Sequence, residues 1–274
     1  MIGAAFGIGF VIGPLLGGAL SVFGYGVPAL VAGGVSALNC IAAFAFLTES
    51  LTPARRAEKR LNAKPRAAFS LDALLDALKH PQVGPLLTTR FFFAFAFNLF
   101  ITIFPLYAQY HLGLSAPQIG FVFAYVGVLL VLVQAVLVGR LVTRWDEYRL
   151  LLAMVVLTSL TLLGWAFAPN LPFLLAVFTL MAFSVGSFNT LINSALSKAV
   201  APSDVGGTLG RSAALESVTR VFSPSLGGYL LGSLGVWSPG VLGGMILALL
   251  ALLTWRDFIR APHSSAVYLS ERAE

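Results

Sequence analysis

Charge is what this sequence has least of. Asp, Glu, Lys and Arg make up 10% of its 274 residues, against about 25% in an ordinary soluble domain. Hydrophobic residues reach 58% and the mean hydropathy is +0.90, which leaves too little polar surface to meet water on every side. An all-α membrane protein is the expectation, because a helix satisfies its own backbone in lipid. Cysteine is nearly absent. Cys40 stands alone, so no intrachain disulfide can form, and its place inside an apolar run predicts a free, packed thiol. His80, His111 and His263 are far apart, with no i,i+4 pair and no Cys/His cluster, so neither a metal site nor a cofactor is expected. No phosphate-cradling loop ends in Gly-Lys-Ser/Thr, which argues against direct ATP drive. No serine has the flanks of a nucleophile elbow, and an enzyme is not expected. No basic residue precedes Arg55, so the n-region of a secretory leader is missing.

What the chain does have is long apolar runs. Crossing the hydrocarbon takes about 20 helical residues, and eight stretches qualify, near 2–22, 27–47, 85–108, 117–139, 149–168, 171–193, 212–232 and 237–255. Turn-forming clusters separate them at Gly24–Gly26, Gly113–Pro117, Pro169–Pro172 and Gly235–Pro239. The net charge of +6 would suit nucleic acid, but the bases sit in alternate connections. Arg55, Arg56, Lys59, Arg60, Lys64, Arg66 and Lys79 follow the second span. Arg140, Arg144 and Arg149 follow the fourth, Lys198 and Arg211 the sixth, and Arg256, Arg260 and Arg272 the eighth. Residues 109–116, 169–172 and 233–236 contain no Lys or Arg. The positive-inside rule then places both termini and the basic loops in the cytoplasm, as expected of a multi-pass plasma-membrane protein.

The one long connection divides two spans from six. Late in it, Ser70 is positioned to cap a short helix, with Leu71, Leu74, Leu75 and Leu78 on one face and Asp72, Asp76 and Lys79 opposite. The predicted organisation is 1–47, two helices; 48–84, a cytoplasmic linker with an amphipathic helix; 85–258, a six-helix unit; and 259–274, a cytoplasmic tail.

The first span carries Gly9, Gly13, Pro14, Gly17 and Gly18. Glycines four apart share one helix face and allow another backbone to approach, while Pro14 weakens the helix where lipid supplies no replacement hydrogen bond. With the two-plus-six division, this stretch resembles the major facilitator superfamily. It is similar to the glycine-proline motif of the fifth helix in the drug–proton antiporter (tetracycline-type, multidrug efflux) branch. Gly139-Arg140-Leu-Val-Thr-Arg144 looks like a degenerate basic loop motif of that family, without the usual glycine after the second arginine. Gly206–Gly210, Arg220 and Ser223–Gly228 look like its eleventh helix. The resemblance implies helices five to twelve of twelve, with the first four absent, as in a fragment. It implies secondary transport by alternating access: proton-coupled efflux of small lipophilic compounds, with protons and the bilayer as further partners. An uptake carrier of the same fold and a non-transporting, partner-dependent subunit stay open.

Within that frame some residues stand out. Glu216 and Arg220 are four apart, in the favourable order for a helix pair; they serve as a closing pair, a gate or a proton carrier. Arg90 snorkels to headgroups, or pairs with Glu216 or Asp204. With Arg140 and Arg144 these make a candidate cytoplasmic gate. Phe91, Phe95, Asn98, Gln134 and Asn189 are candidates for a substrate cavity, since amides in hydrocarbon need a partner or a wet space; hydrogen bonds between helices are the plainer role.

Overall fold

The computed structural model describes residues 2–46, 71–202 and 204–256. The Ser70 cap, the basic residues from Arg55 to Arg66 and the 259–274 tail lie outside them. Among the described residues nine helices follow in order: α1 (Ile2–Leu20), α2 (Gly26–Phe46), α3 (Leu71–Lys79), α4 (Val83–Leu112), α5 (Ala116–Val142), α6 (Glu147–Ala166), α7 (Leu171–Lys198), α8 (Val205–Leu234) and α9 (Ser238–Trp255). The described residues contain no strand. Six of the helices, α2, α4, α5, α6, α7 and α9, are long and apolar enough to cross a membrane. In α1 the stretch Val11–Phe23 is apolar but shorter. The 30-residue α8 carries Arg211, Glu216 and Arg220, which dilute its apolar content.

Local chemistry sets the ends. Gly113 takes a φ of +66°, and the amide of Leu114 donates to Ala108 O at 3.0 Å, stopping α4 by the left-handed close that favours glycine. Ser115 and Gln118 form a capping box at the start of α5. Asp146 accepts from the amides of Tyr148 and Arg149 to open α6, and Asn170 accepts from Phe173 to open α7. Helices α4 and α7 run past the apolar windows, to Leu112 and Lys198.

The core belongs to α4–α9. Helix α4 runs through the middle, with α8 and α9 along it; α6 packs on α7 and α9, and α5 leans on α7. Phe93 stacks on Phe188, ring centroids 3.5 Å apart. Phe100 and Phe104 meet Trp165 and Phe178 edge-on, the geometry aromatic quadrupoles favour. The Tyr107 hydroxyl donates to Ala168 O at 3.1 Å inside this core. Small residues admit α9: a Cβ on Gly240 would lie 3.0 Å from Leu162 O and 2.9 Å from the Trp165 ring, and one on Gly244 2.6 Å from Leu163 Cγ. Helix α3 lies across the start of α4 with Ala77 buried and Leu74 and Leu78 packed on the core, while Leu75, Asp76 and Lys79 are exposed. The apolar face is therefore narrower than the sequence pattern.

The first two helices are different. Helix α1 runs antiparallel along α5, where Cβ atoms on Gly120 and Gly127 would strike Pro14 O at 2.6 Å and the Val11 Cγ2 atom at 2.8 Å. Helix α2 buries no residue at all. Cys40, expected to be packed, is free and exposed on it, because no other described helix covers that face.

Candidate functional site

The α4–α8 seam is built from small polar residues. Thr208, Ser212, Leu215, Thr219, Ser223 and Gly227 form the buried stripe of α8. Their three- and four-residue spacing places them on one helix face, and their size brings the two backbones together. Ser223 Oγ donates to Phe95 O at 3.2 Å, and a Cβ on Gly227 would sit 2.6 Å from Ile103 Cγ1.

Beside this stripe lies a charged cluster. Arg90 Nη2 donates to Glu216 Oε2 at 2.5 Å, and Arg220 Nη2 donates to Glu216 Oε1 at 2.8 Å. Arg90 Nη1 donates to Asn189 Oδ1, whose own Nδ2 donates to Val185 O at 3.0 Å. One carboxylate thus holds one guanidinium on each oxygen, and Asn189 of α7 fixes the orientation of the inner one. Side-chain exposure is 12% for Arg90, 24% for Glu216 and 62% for Arg220. Arg90 is therefore held by the bundle, as the sequence had left open, and does not reach outward as snorkelling requires. Its Nε is buried without a partner. Asn98 joins the same network one layer deeper: its Nδ2 donates to Thr219 Oγ1 at 2.8 Å, and that hydroxyl donates to Glu216 O at 2.7 Å.

The remaining candidates separate. Phe91 and Phe95 are half-buried and stacked, centroids 6.4 Å apart, with Phe91 packed against the edge of the core; Phe93 and Phe100 are buried within it. Gln134 is exposed, on a wide π turn at Val133–Leu137. Arg140 and Arg144 are exposed beyond that turn, where Arg140 Nη1 donates weakly to Val136 O at 3.4 Å. Neither is a partner of Glu216. So Arg90, Glu216, Arg220, Asn189 and Asn98 form one site, and Gln134, Arg140 and Arg144 stand apart from it. Sequence reading missed Thr219 as the link and Glu147, which pairs with Lys198 at 2.7 Å between the start of α6 and the end of α7. The four-residue spacing of Thr219, Ser223 and Gly227 was the available signal for the seam.

At the other end of α4 a cavity of about 430 Å³ opens between α1, α4 and α5, with Pro14, Gly17, Gly18, Pro105, Gln109 and Phe123 among its lining residues. Gly18 packs against α5, 3.2 Å from Gly120 Cα by its would-be Cβ, whereas Gly9, Gly13 and Gly17 have nothing within 4 Å. Among the described residues no group of acids, histidines or cysteines is arranged to hold a metal.

Known proteins are similar to this chain in sequence and in fold. The family model described as Major Facilitator Superfamily matches residues 1–147 and 86–273. The chain is 31% identical over 256 residues to solute carrier family 22 member 18 of Rattus norvegicus, covering 93% of this chain and 62% of that protein. Multidrug resistance protein 2 of Bacillus subtilis is 26% identical over 260 residues, covering 93% and 63%. Tetracycline resistance protein, class H, of Pasteurella multocida is 25% identical over 256 residues, covering 92% and 62%. In three dimensions the human organic anion transporter MFSD10 (TETRAN) superposes with a TM-score of 0.70 at 19% identity, over 92% of this chain and 62% of that one. The chain spans about three fifths of the length of these relatives. A helical membrane bundle with a cross-helix charge network, matched along its whole length by one family, has one reading: this chain belongs to the major facilitator superfamily.

Proposed function

We propose that the chain forms most of a secondary transporter that exports small lipophilic organic compounds against inward proton flow by alternating access. The observation that carries this is the Arg90–Glu216–Arg220–Asn189 network. It joins α4, α7 and α8 through charges that are costly at membrane depth, and such groups are kept where a pathway or gate uses them. On this reading the cluster closes the cytoplasmic side, and Phe91, Phe95 and Asn98 line the cavity wall above it. The chain has eight spans, α8 and α1 included, with both termini and the basic loops in the cytoplasm and the protein in the plasma membrane. Residues 1–47 correspond to helices five and six of the family's twelve, 48–84 to the linker between halves, 85–258 to helices seven to twelve, and 259–274 to the tail. Gly9, Gly13, Pro14, Gly17 and Gly18 are then the flexing interface of the fifth helix, and Arg140 and Arg144 belong to the basic loop. The names of the bacterial relatives, drug and tetracycline resistance proteins, support export of organic compounds.

A second reading, a subunit that works only with a membrane partner, is favoured by α2, which is apolar along its length and buries no residue. One experiment addresses both. The chain is expressed in cells stripped of their own pumps, and accumulation of tetracycline, ethidium and fluorescein is followed. Lowered accumulation of at least one, reversed by a protonophore, is the expected result. Unchanged accumulation of all three sinks autonomous export, and restoration by a co-expressed four-helix N-terminal piece of a relative establishes the partner-dependent form.

A further inference from the structure

A smaller opening lies where α3 crosses the start of α4. Gly84 permits the crossing, because a Cβ there would overlap the carbonyl oxygen of Leu78. Beside it a crevice of about 190 Å³ runs between α3, α4 and α9, with Leu78, Pro85, Thr88, Thr89, Leu253 and Thr254 among its lining residues. Thr89 and Thr254 donate back into their own helices, to Pro85 O and Leu250 O, each at 2.8 Å. Thr88 differs. It is half-buried, and its hydroxyl has no hydrogen-bond partner among the described residues. A helix ordinarily settles such a hydroxyl on the carbonyl one turn back, so an unused donor in the wall of a crevice calls for an occupant.

The crevice also has a depth and a charge. Trp255, 39% exposed, follows Thr254 at the end of α9, and tryptophan marks the headgroup level of a bilayer. Leu253 continues along α9 into Leu249, both of them exposed, so one wall runs on as an apolar track into the hydrocarbon. Lys79, next to Leu78, is exposed and has no acid partner among the described residues. The sequence leading into α3 holds Arg55, Arg56, Lys59, Arg60, Lys64 and Arg66 against the single acid Glu58.

We infer that this crevice seats one anionic phospholipid. Thr88 donates to a phosphodiester oxygen, Lys79 pairs with the headgroup charge, and an acyl chain lies along Leu253 and Leu249. A hydroxyl, a base at the rim and an apolar track fit an amphiphile better than a freely soluble ion. Anionic headgroups are what basic segments beside a membrane helix recognise. The lipid clamps α3, which otherwise meets the bundle through Leu74, Ala77 and Leu78, onto α4 and α9. It is a fixed partner of the fold and not the transported solute.

The test uses the full chain in nanodiscs of phosphatidylcholine and phosphatidylglycerol in equal parts, with retained lipids counted by native mass spectrometry. One tightly held phosphatidylglycerol per chain is expected, preferred over phosphatidylcholine by about tenfold. Thr88→Val keeps the volume and removes the donor, and Lys79→Gln removes the charge. Each lowers retention by about fivefold, the worth of one base beside an anionic surface, and Thr88→Ser restores it. Arg149→Gln removes an exposed charge at the start of α6, outside the crevice, and changes retention by less than about twofold. Equal retention of the two lipids by the unaltered chain overturns the inference. So does retention indifferent to Thr88→Val or Lys79→Gln, or an equal loss with Arg149→Gln, which would reduce the effect to general surface attraction. Displacement of phosphatidylglycerol by millimolar inorganic phosphate also overturns it, by making the free ion the occupant. Lipid retention does not depend on solute movement, so its failure leaves the transport reading standing.

Discussion

Helices α2 and α4 have the same mean hydropathy, 1.9, yet half of the apolar window of α4 is buried in the bundle and none of α2 is. Lipid tails are as apolar as leucine, so hydropathy selects the membrane for a helix but not its neighbours. What gives α4 neighbours is shape and hydrogen bonding. Glycines and short polar residues on α8 and α9 face it, aromatic rings interlock beside it, and Arg90 and Asn98 have partners across the seam. Helix α2 has glycines too, Gly33 and Gly34, but nothing stands within 4 Å of where their Cβ atoms would be. A glycine counts as a packing device only when a backbone arrives to use it.

That contrast can be broken most forcefully at α9. Gly240→Leu drives a side chain into Leu162 O and the Trp165 ring, and overpacking of this kind costs about 3 kcal/mol or more. Gly34→Leu on α2 should leave the melting temperature of the purified chain in detergent unchanged. Equal damage from the two would dissolve the comparison. Next in size is the charge network. Glu216→Gln strands Arg90, which is 12% exposed, and should cost about 2 kcal/mol after allowance for partial exposure. Adding Arg90→Gln to it should restore part of the loss; a double variant worse than the sum of the singles would mean that the pair is not the unit.

The α1–α5 contact is the intermediate case. Gly120→Ala, 2.6 Å from Pro14 O by its new Cβ, should cost about 1.5 kcal/mol. Its signature is faster proteolysis at Gly24–Gly26 with the melting of α4–α9 unaltered; a lowered bundle melting point would show α1 to be part of that core. Smaller again, Asn98→Leu removes one hydrogen bond to Thr219 and should cost about 1 kcal/mol, in line with bonds between membrane helices. Lys198→Ala, at a pair whose lysine is 66% exposed, should shift stability by less than about 0.5 kcal/mol. A larger shift there would mark the α6–α7 pair as part of the structural network.

The sequence already carried much of this. Apolar length located the helices, and the turn clusters holding Gly113 and Asn170 marked ends that the structure caps as their chemistry requires; the Asp146 cap went unread. Glu216 and Arg220 announced themselves by four-residue spacing, and pairing of Arg90 with Glu216 was one of three open readings, beside snorkelling and pairing with Asp204. Asn189 as the third partner was not legible, since its neighbour in space is 99 residues away and nothing local reports that. The division of the phenylalanines was also hidden. Phe93 and Phe100 differ from Phe91 and Phe95 in azimuth alone, and α4 has apolar residues all round, so no periodicity separates core from groove. Gln134 shows the same limit, because it lies exposed on a π turn, which has no dependable residue signature.

That π turn has its own consequence. The amide of Val138 donates five residues back, to Val133 O, so α5 holds one residue more than a regular helix of that length. Everything after it is displaced by about 100° in azimuth from the regular course, one residue's share of a 3.6-residue turn. The wide turn works as a phase shifter within a single rod. Gly120 and Gly127 point at α1 on one setting of the dial, while Arg140 and Arg144 point on another, and deleting one residue between Val133 and Leu137 would swing the basic end round without disturbing the glycine face.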